Sequence, residues 1–167
     1  GVVLGQKNQI DLDLPPAETF KLMKEIYGIP DEEYRKKLKE LMLLLDIKDI
    51  VNVQARRLSL GQRMKCELVV ALLHSPKVLY LDEPTIGLDV TSQRNIREFL
   101  ATYNSLHKTT IILTSHYMQD IEKLCERIII IDLGKVVFDG SLKKLTKGYV
   151  KNKKIAFTIE NKKEIEN

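Results

Sequence analysis

The chain has 167 residues, 27 Lys+Arg against 23 Asp+Glu for a formal charge of +4, and a content that is 44% hydrophobic and 30% charged. That composition excludes collagen-like, coiled-coil and intrinsically disordered chains, and the length predicts one domain with a sizeable core. The small positive excess is spread along Lys-rich helices, which argues against nucleic acid as a partner.

The first apolar run, residues 2–4, reads as a buried strand closed by Gly5, and the polar stretch 6–13 reads as a loop. The chain opens inside that strand and not on Met, with no signal peptide before it, so the expectation is that upstream sequence precedes it. Pro15-Pro16 suits a helix start, and Phe20, Met23, Ile26 and Tyr27 recur at helical spacing until Gly28. A second helix begins with Asp31, Glu32 and Glu33, where the helix dipole favours anions. Tyr34, Leu38, Leu41, Met42 and Leu45 form its apolar stripe, and Lys36, Lys37 and Lys39 fall elsewhere.

Ser59 precedes a third helix whose one face carries Leu60, Met64, Leu68 and Leu72 and whose second half is apolar all round, the mark of a buried helix. From Lys77 the pattern alternates: strand 78–81, helix 92–106, strand 110–113, helix 117–125 and strand 128–131. Continuous β-branched runs between amphipathic helices predict an α/β fold with a mostly parallel sheet covered on both faces. Asp132-Leu133-Gly134-Lys135 carries turn chemistry and predicts a hairpin between 128–131 and 136–138. Ser141 caps a short helix ending at Gly148, after which Ile155, Phe157 and Ile159 alternate in a strand-like segment. Apolar runs 68–73 and 128–131 are the longest, far short of the roughly 18–20 residues of a membrane-spanning helix. Cys66 and Cys125 make no C-x-x-C pair or metal-ligand spacing; both read as core residues on helices, in a reducing compartment.

Ligands of open α/β sheets bind beyond the carboxyl ends of the strands. There the sequence puts Gln6 after the first run, Asp82 and Glu83 after the second, and His116 after the run through Leu113. A Gln, an acidic pair and a His are the inventory of a metal-dependent phosphoryl-transfer site. A buried strand can deliver Asp82 to a magnesium ion while Glu83 orients or deprotonates water; the bland alternative is an acidic helix cap before Pro84. Leu58-Ser59-Leu60-Gly61-Gln62 opens the third helix, where free backbone N–H groups suit an anion, although a plain Ser cap explains it equally. His116 can donate to a phosphate oxygen or be structural, and Asp89 can be functional or a helix N-cap. His74 and His107 have no such setting and read as incidental.

In combination these stretches resemble the ATP-binding subunit of ABC transporters, a P-loop NTPase-like fold. Leu58-Ser59-Leu60-Gly61-Gln62 is similar to its signature sequence, with Leu60 where the family has glycine. Residues 78–83 resemble its Walker B, Gly87-Leu88-Asp89 its D-loop, His116 its switch histidine and Gln6 its Q-loop glutamine. The phrases around Gly5-Gln6-Lys7-Asn8-Gln9 and Glu83-Pro84-Thr85-Ile86-Gly87-Leu88-Asp89 resemble ABC-2-type exporters. The resemblance implies a partial ATPase domain over 1–147, its N-terminal part missing and a helical subdomain inserted at about 14–75, with 148–167 starting a C-terminal extension or tail. It implies ATP and Mg2+ as ligands, Asp82 and Gln6 at the metal, and Glu83 and His116 as catalytic residues. Ser59, Gly61 and Gln62 would bind nucleotide in trans across a head-to-tail dimer, with Asp89 at the dimer interface.

The implied partners are a second ATP-binding subunit and a transmembrane permease, which would hold the protein peripherally at the cytoplasmic face of the membrane. No G-x-x-x-x-G-K-[ST] occurs in the 167 residues, so the chain alone is expected to be inactive and, with apolar sheet surface uncovered, aggregation-prone. Two other readings are a non-catalytic ABC-like interaction module lending its signature helix in trans, and a soluble ABC ATPase. The latter is disfavoured by the lack of a coiled-coil insertion, a second cassette or a basic patch.

Overall fold

The computed structural model describes residues 1–5 and 7–149; Gln6 and the alternating segment of Ile155, Phe157 and Ile159 lie outside them. The chain packs as two compact units, one of Gly1–Leu124 and a second starting at Cys125.

In the first unit, β1 (Val2–Leu4), β2 (Val78–Asp82) and β3 (Thr110–Thr114) form a parallel sheet with β2 in the centre. Val3 pairs with Leu81 and Leu81 with Leu113, so these side chains share one face. Val3, Leu79 and Leu81 are buried there, with Ile111 and Leu113 packed partly beneath the same core. The other face carries Val2, Tyr80 and Ile112 in register across all three strands, at 47%, 49% and 48% exposure. The sequence predicts a sheet covered on both faces; among the described residues one face is covered. The run 128–131, expected as a further sheet strand, pairs outside this sheet.

Between β1 and β2 lie α1 (Pro16–Ile26), α2 (Asp31–Leu45), a 3-10 turn at Ala55–Arg57 and α3 (Leu60–Leu72). Pro16 occupies the first helical position of α1, where its missing N–H costs nothing, and Phe20 plugs the core. Three acidic residues open α2, and its Leu41 and Leu45 are buried. In α3 everything from Cys66 to Leu72 is buried, as expected, although Glu67 interrupts the run read as apolar all round. Leu60, however, is 41% exposed and stands apart from its expected face-mates Met64, Leu68 and Leu72. The helix α4 (Val90–His107) joins β2 to β3, and α5 (Met118–Leu124) follows β3. Cys66 sits in the core, where burial pushes its thiol up to about 12; Cys125 lies just past α5 and is half-buried, a departure from the helical core position expected.

The packing revises the sequence reading at three residues, Lys37, His107 and His74. Lys37, read as lying off the apolar stripe of α2, is only 8% exposed, lies 4.8 Å from the centre of the Tyr103 ring and reaches Glu40 at 3.3 Å. His107, expected to be incidental, sits 2.5 Å from Glu40 and 4.4 Å from the Tyr103 ring, joining the end of α4 to α2. Burial pushes the Glu40 carboxyl upward, but His107 and Lys37 outweigh it and hold it below its ordinary value. His74 likewise stacks on Tyr27 at 4.1 Å with rings almost parallel.

The second unit contains an antiparallel hairpin of β4 (Ile128–Asp132) and β5 (Lys135–Gly140), followed by α6 (Leu142–Tyr149). Leu133 and Gly134 both take positive φ, 46° and 74°, which is the two-residue turn that matches strand twist and explains the glycine. Arg127 grips Asp139 through two bonds of 2.7 and 2.6 Å.

Candidate functional site

The site is built where β2 and β3 end. Asp82 is the last residue of β2 and Thr114 the last of β3, and they pair in register. The Thr114 hydroxyl donates to Asp82 Oδ1 at 2.5 Å, while the Glu83 N–H donates to both the carbonyl and the hydroxyl oxygen of Thr114 at 3.1 Å. The chain then turns sharply: Glu83 has φ 49°, a left-handed conformation that a Glu occupies at a cost of about 1–3 kcal/mol. That turn aims Glu83 at His116, whose Nδ1 lies 3.1 Å from Glu83 Oε1. Asp82, Glu83 and His116 are thus brought together as the sequence predicts, with Thr114 as the hinge that sequence reasoning missed. Its signal was a hydroxyl at the end of a strand flanking the acidic pair.

Behind them lies a buried network. Asp120, fully buried on α5, accepts from the Thr85 hydroxyl at 2.6 Å, the Ser115 hydroxyl at 2.7 Å and Arg97 Nη1 at 2.8 Å. Arg97 is itself 5% exposed, on the α4 face that also buries Ile96, Phe99 and Leu100. Burial pushes the Asp120 carboxyl up, yet the bonds from Thr85, Ser115 and Arg97 prevail and keep it below its usual value. An Arg among apolar helix positions was the sequence signal for such a partner.

The remaining expected residues form a second cluster, at the starts of α3 and α4. Ser59 and Gln62 make a reciprocal capping box: the Gln62 N–H donates to Ser59 Oγ at 3.2 Å and the Ser59 N–H to Gln62 Oε1 at 2.9 Å. Asp89 caps α4, accepting from the Ser92 N–H at 2.9 Å and its hydroxyl at 2.6 Å, bonds that hold its carboxyl below its ordinary value. Gly61 joins the two helix starts, because a Cβ there would lie 2.3 Å from Ser92 Oγ and 2.8 Å from Ser92 Cβ. Gly87, at φ 71°, lies under Leu60, whose Cδ2 an added Cβ would meet at 3.3 Å. In the fold the missing side chain of Gly61 admits Ser92, a packing role beside the nucleotide contact that the resemblance implies.

Gln6 lies outside the described residues; Gly5, before it, is closely packed. A Cβ on Gly5 would fall 2.2 Å from the Glu83 carbonyl oxygen. Beyond it, Glu67 of α3 accepts from the N–H groups of Gln9 and Ile10 at 2.8 and 3.2 Å, at 3% exposure. Burial drives the Glu67 carboxyl above its ordinary value against the pull of those two bonds. A Glu in the otherwise apolar half of α3 is the sequence signal for such a buried partner.

Residues 6–118 match a family model described as "AAA domain, putative AbiEii toxin, Type IV TA system". The ABC transporter ATP-binding protein NatA of Bacillus subtilis (strain 168) is 31% identical over 145 residues, 87% of this chain and 58% of NatA. The chain belongs to the ABC-type ATP-binding family. Among solved structures, CbiO1 from Clostridium perfringens, part of the ABC transporter complex cbiONQ, superposes with a TM-score of 0.77 at 25% identity, over 88% of this chain and 59% of that one. A dimeric post-hydrolysis state of the ATP-binding cassette MJ0796 with ADP and Pi gives 0.70 at 26% identity, over 85% and 62%. The chain therefore spans about three-fifths of the length of these ABC-type relatives.

Proposed function

We propose that this chain is part of an ATPase that hydrolyses ATP to drive a separate transmembrane permease, and that Glu83 and His116 are its catalytic residues. The observation that carries the reading is the 3.1 Å contact of these two side chains at the carboxyl ends of neighbouring parallel strands. The dimeric relative with ADP and Pi supports it.

In this reading Glu83 accepts a proton from a water whose oxygen attacks the γ-phosphorus, as the bond to the β-phosphate oxygen breaks and ADP leaves. A hydrogen on His116 Nδ1 donates to Glu83, and a charged imidazole also donates from Nε2 to a γ-phosphate oxygen. The donors beside them suit Mg2+: the Asp82 carboxylate and Thr114 hydroxyl are hard oxygens, and among the described residues there is no cage of three or more His, Cys, Asp or Glu. Asp82 would hold the metal with Gln6 and the phosphates, and Mg2+ would neutralise charge developing on the phosphate oxygens.

Ser59, Gly61 and Gln62 would close over nucleotide held by a second subunit in a head-to-tail dimer, with Asp89 at its interface. The same reading assigns 1–147 to the nucleotide-binding domain, about 14–75 to its helical subdomain and 148–167 to an extension. Among the described residues no helix is long and apolar enough to cross a membrane, so membrane attachment through the permease is part of the proposal. ATPase activity is proposed for the protein of the complete reading frame and inactivity for the 167 residues alone. The test is phosphate release by the complete protein: Glu83→Gln should abolish turnover and retain bound ATP, and undiminished turnover would reject Glu83 as the base.

A further inference from the structure

The buried network behind the site closes a ring. Thr85 stands two residues after Glu83, and Ser115 immediately before His116. Both hydroxyls donate to the same Asp120 oxygen, Oδ2, while Oδ1 is held by Arg97. Ser115 Oγ in turn accepts the Tyr117 N–H at 3.0 Å, so the residues on both sides of His116 are fixed. The turn after Glu83 is closed by the Ile86 N–H on the Glu83 carbonyl at 3.1 Å. The Glu83–His116 contact itself completes the circuit.

We propose that Asp120 is a positioning residue for hydrolysis, its buried carboxylate tying the loop of Glu83 to the loop of His116 so that the two catalytic side chains keep their mutual distance. The inference rests on the reading of Glu83 and His116 as the hydrolytic pair. Two features favour positioning over bulk stability. The carboxylate spends both hydroxyl bonds on the two site loops, and those loops follow different strands that, among the described residues, no other fully buried side chain bonds to both. Arg97 is held in turn, since its Nη1 bonds Asp120 Oδ1 at 2.8 Å while its Nη2 bonds Gln119 Oε1 at 3.3 Å, two donors of one rigid planar group on neighbouring residues of α5. Loss of Asp120 would leave the reacting groups present but loosely placed, and displacements of about an ångström cost up to about a hundredfold in rate.

The test uses the protein of the complete reading frame with ATP and Mg2+, comparing Asp120→Asn, Ser115→Ala and His116→Ala, singly and combined. Ser115→Ala keeps the Arg97–Asp120–Thr85 bonds and therefore the fold, so it stands if Asp120→Asn fails to fold. The expected result is a kcat lowered about tenfold to a hundredfold with KM within about twofold. Combination with His116→Ala should then add little, because both changes disable one unit. An undiminished kcat, or losses that multiply with that of His116→Ala, would overturn the positioning role and leave the hydrolytic reading standing. Full turnover in His116→Ala alone would remove the hydrolytic reading, and the positioning role with it.

Discussion

Replacing Gly61 by Ala probes how the starts of α3 and α4 are joined. The new methyl would sit 2.3 Å from Ser92 Oγ and 2.8 Å from Ser92 Cβ, against ordinary contacts of 3.4–4 Å. Rotating the Ser92 hydroxyl away breaks its 2.6 Å bond to Asp89 and still leaves Ser92 Cβ, so the first turn of α3 must withdraw. The lost bond costs about 1 kcal/mol and the overpacking about 1–3 kcal/mol, offset by up to about 1 kcal/mol from the better helix propensity of Ala. The net expectation is a loss of about 1–3 kcal/mol in urea unfolding followed by far-ultraviolet circular dichroism. Ser92→Gly removes both obstructing atoms, so the double variant Gly61→Ala/Ser92→Gly should be more stable than the sum of the single effects by at least about 1 kcal/mol. Wild-type stability in Gly61→Ala, or strict additivity in the double variant, would refute the packing argument.

Other perturbations follow from the same geometry. Glu67→Ala strands the N–H groups of Gln9 and Ile10 and should cost about 2–4 kcal/mol in the same unfolding assay, whereas Glu67→Gln keeps the accepting oxygen. Because burial raises the Glu67 carboxyl in the folded state, its ionisation weakens the fold as pH rises through that raised value. Glu67→Gln should therefore match wild type near pH 4 and gain on it towards pH 8, and a gain that grows instead on acidification would contradict the assignment. On the uncovered sheet face, Ile112→Lys breaks the apolar row of Val2, Tyr80 and Ile112. It should reduce self-association of the 167-residue chain in light scattering, and unchanged association would show that this row is not the sticky surface.

The elements were legible because their signals are local. Prolines and acids start α1 and α2, Ser59 and Asp89 cap α3 and α4, and Leu133-Gly134 makes the hairpin turn. The Glu83–His116 meeting was legible because strand order and the carboxyl-end rule bring such residues to one edge. What stayed hidden was tertiary: that Lys37 and His107 share Glu40 across two helices, and that Asp120 serves two loops at once. Periodicity assigns a charge to the solvent side by default, and only the packed fold reveals the partner that lets it be buried. The bare sheet face was hidden for the opposite reason, since a β-branched run looks the same whether one face or two are covered.

The most direct test of the hydrolytic assignment is a single turnover: protein from the complete reading frame in excess over ATP with Mg2+, quenched over time and separated into ATP and ADP. Glu83→Gln should hold its bound ATP intact over the period in which wild type converts it to ADP and phosphate. Conversion at the wild-type rate would contradict the account, because the Glu83 carboxylate, just after β2, would then have no part in the chemical step.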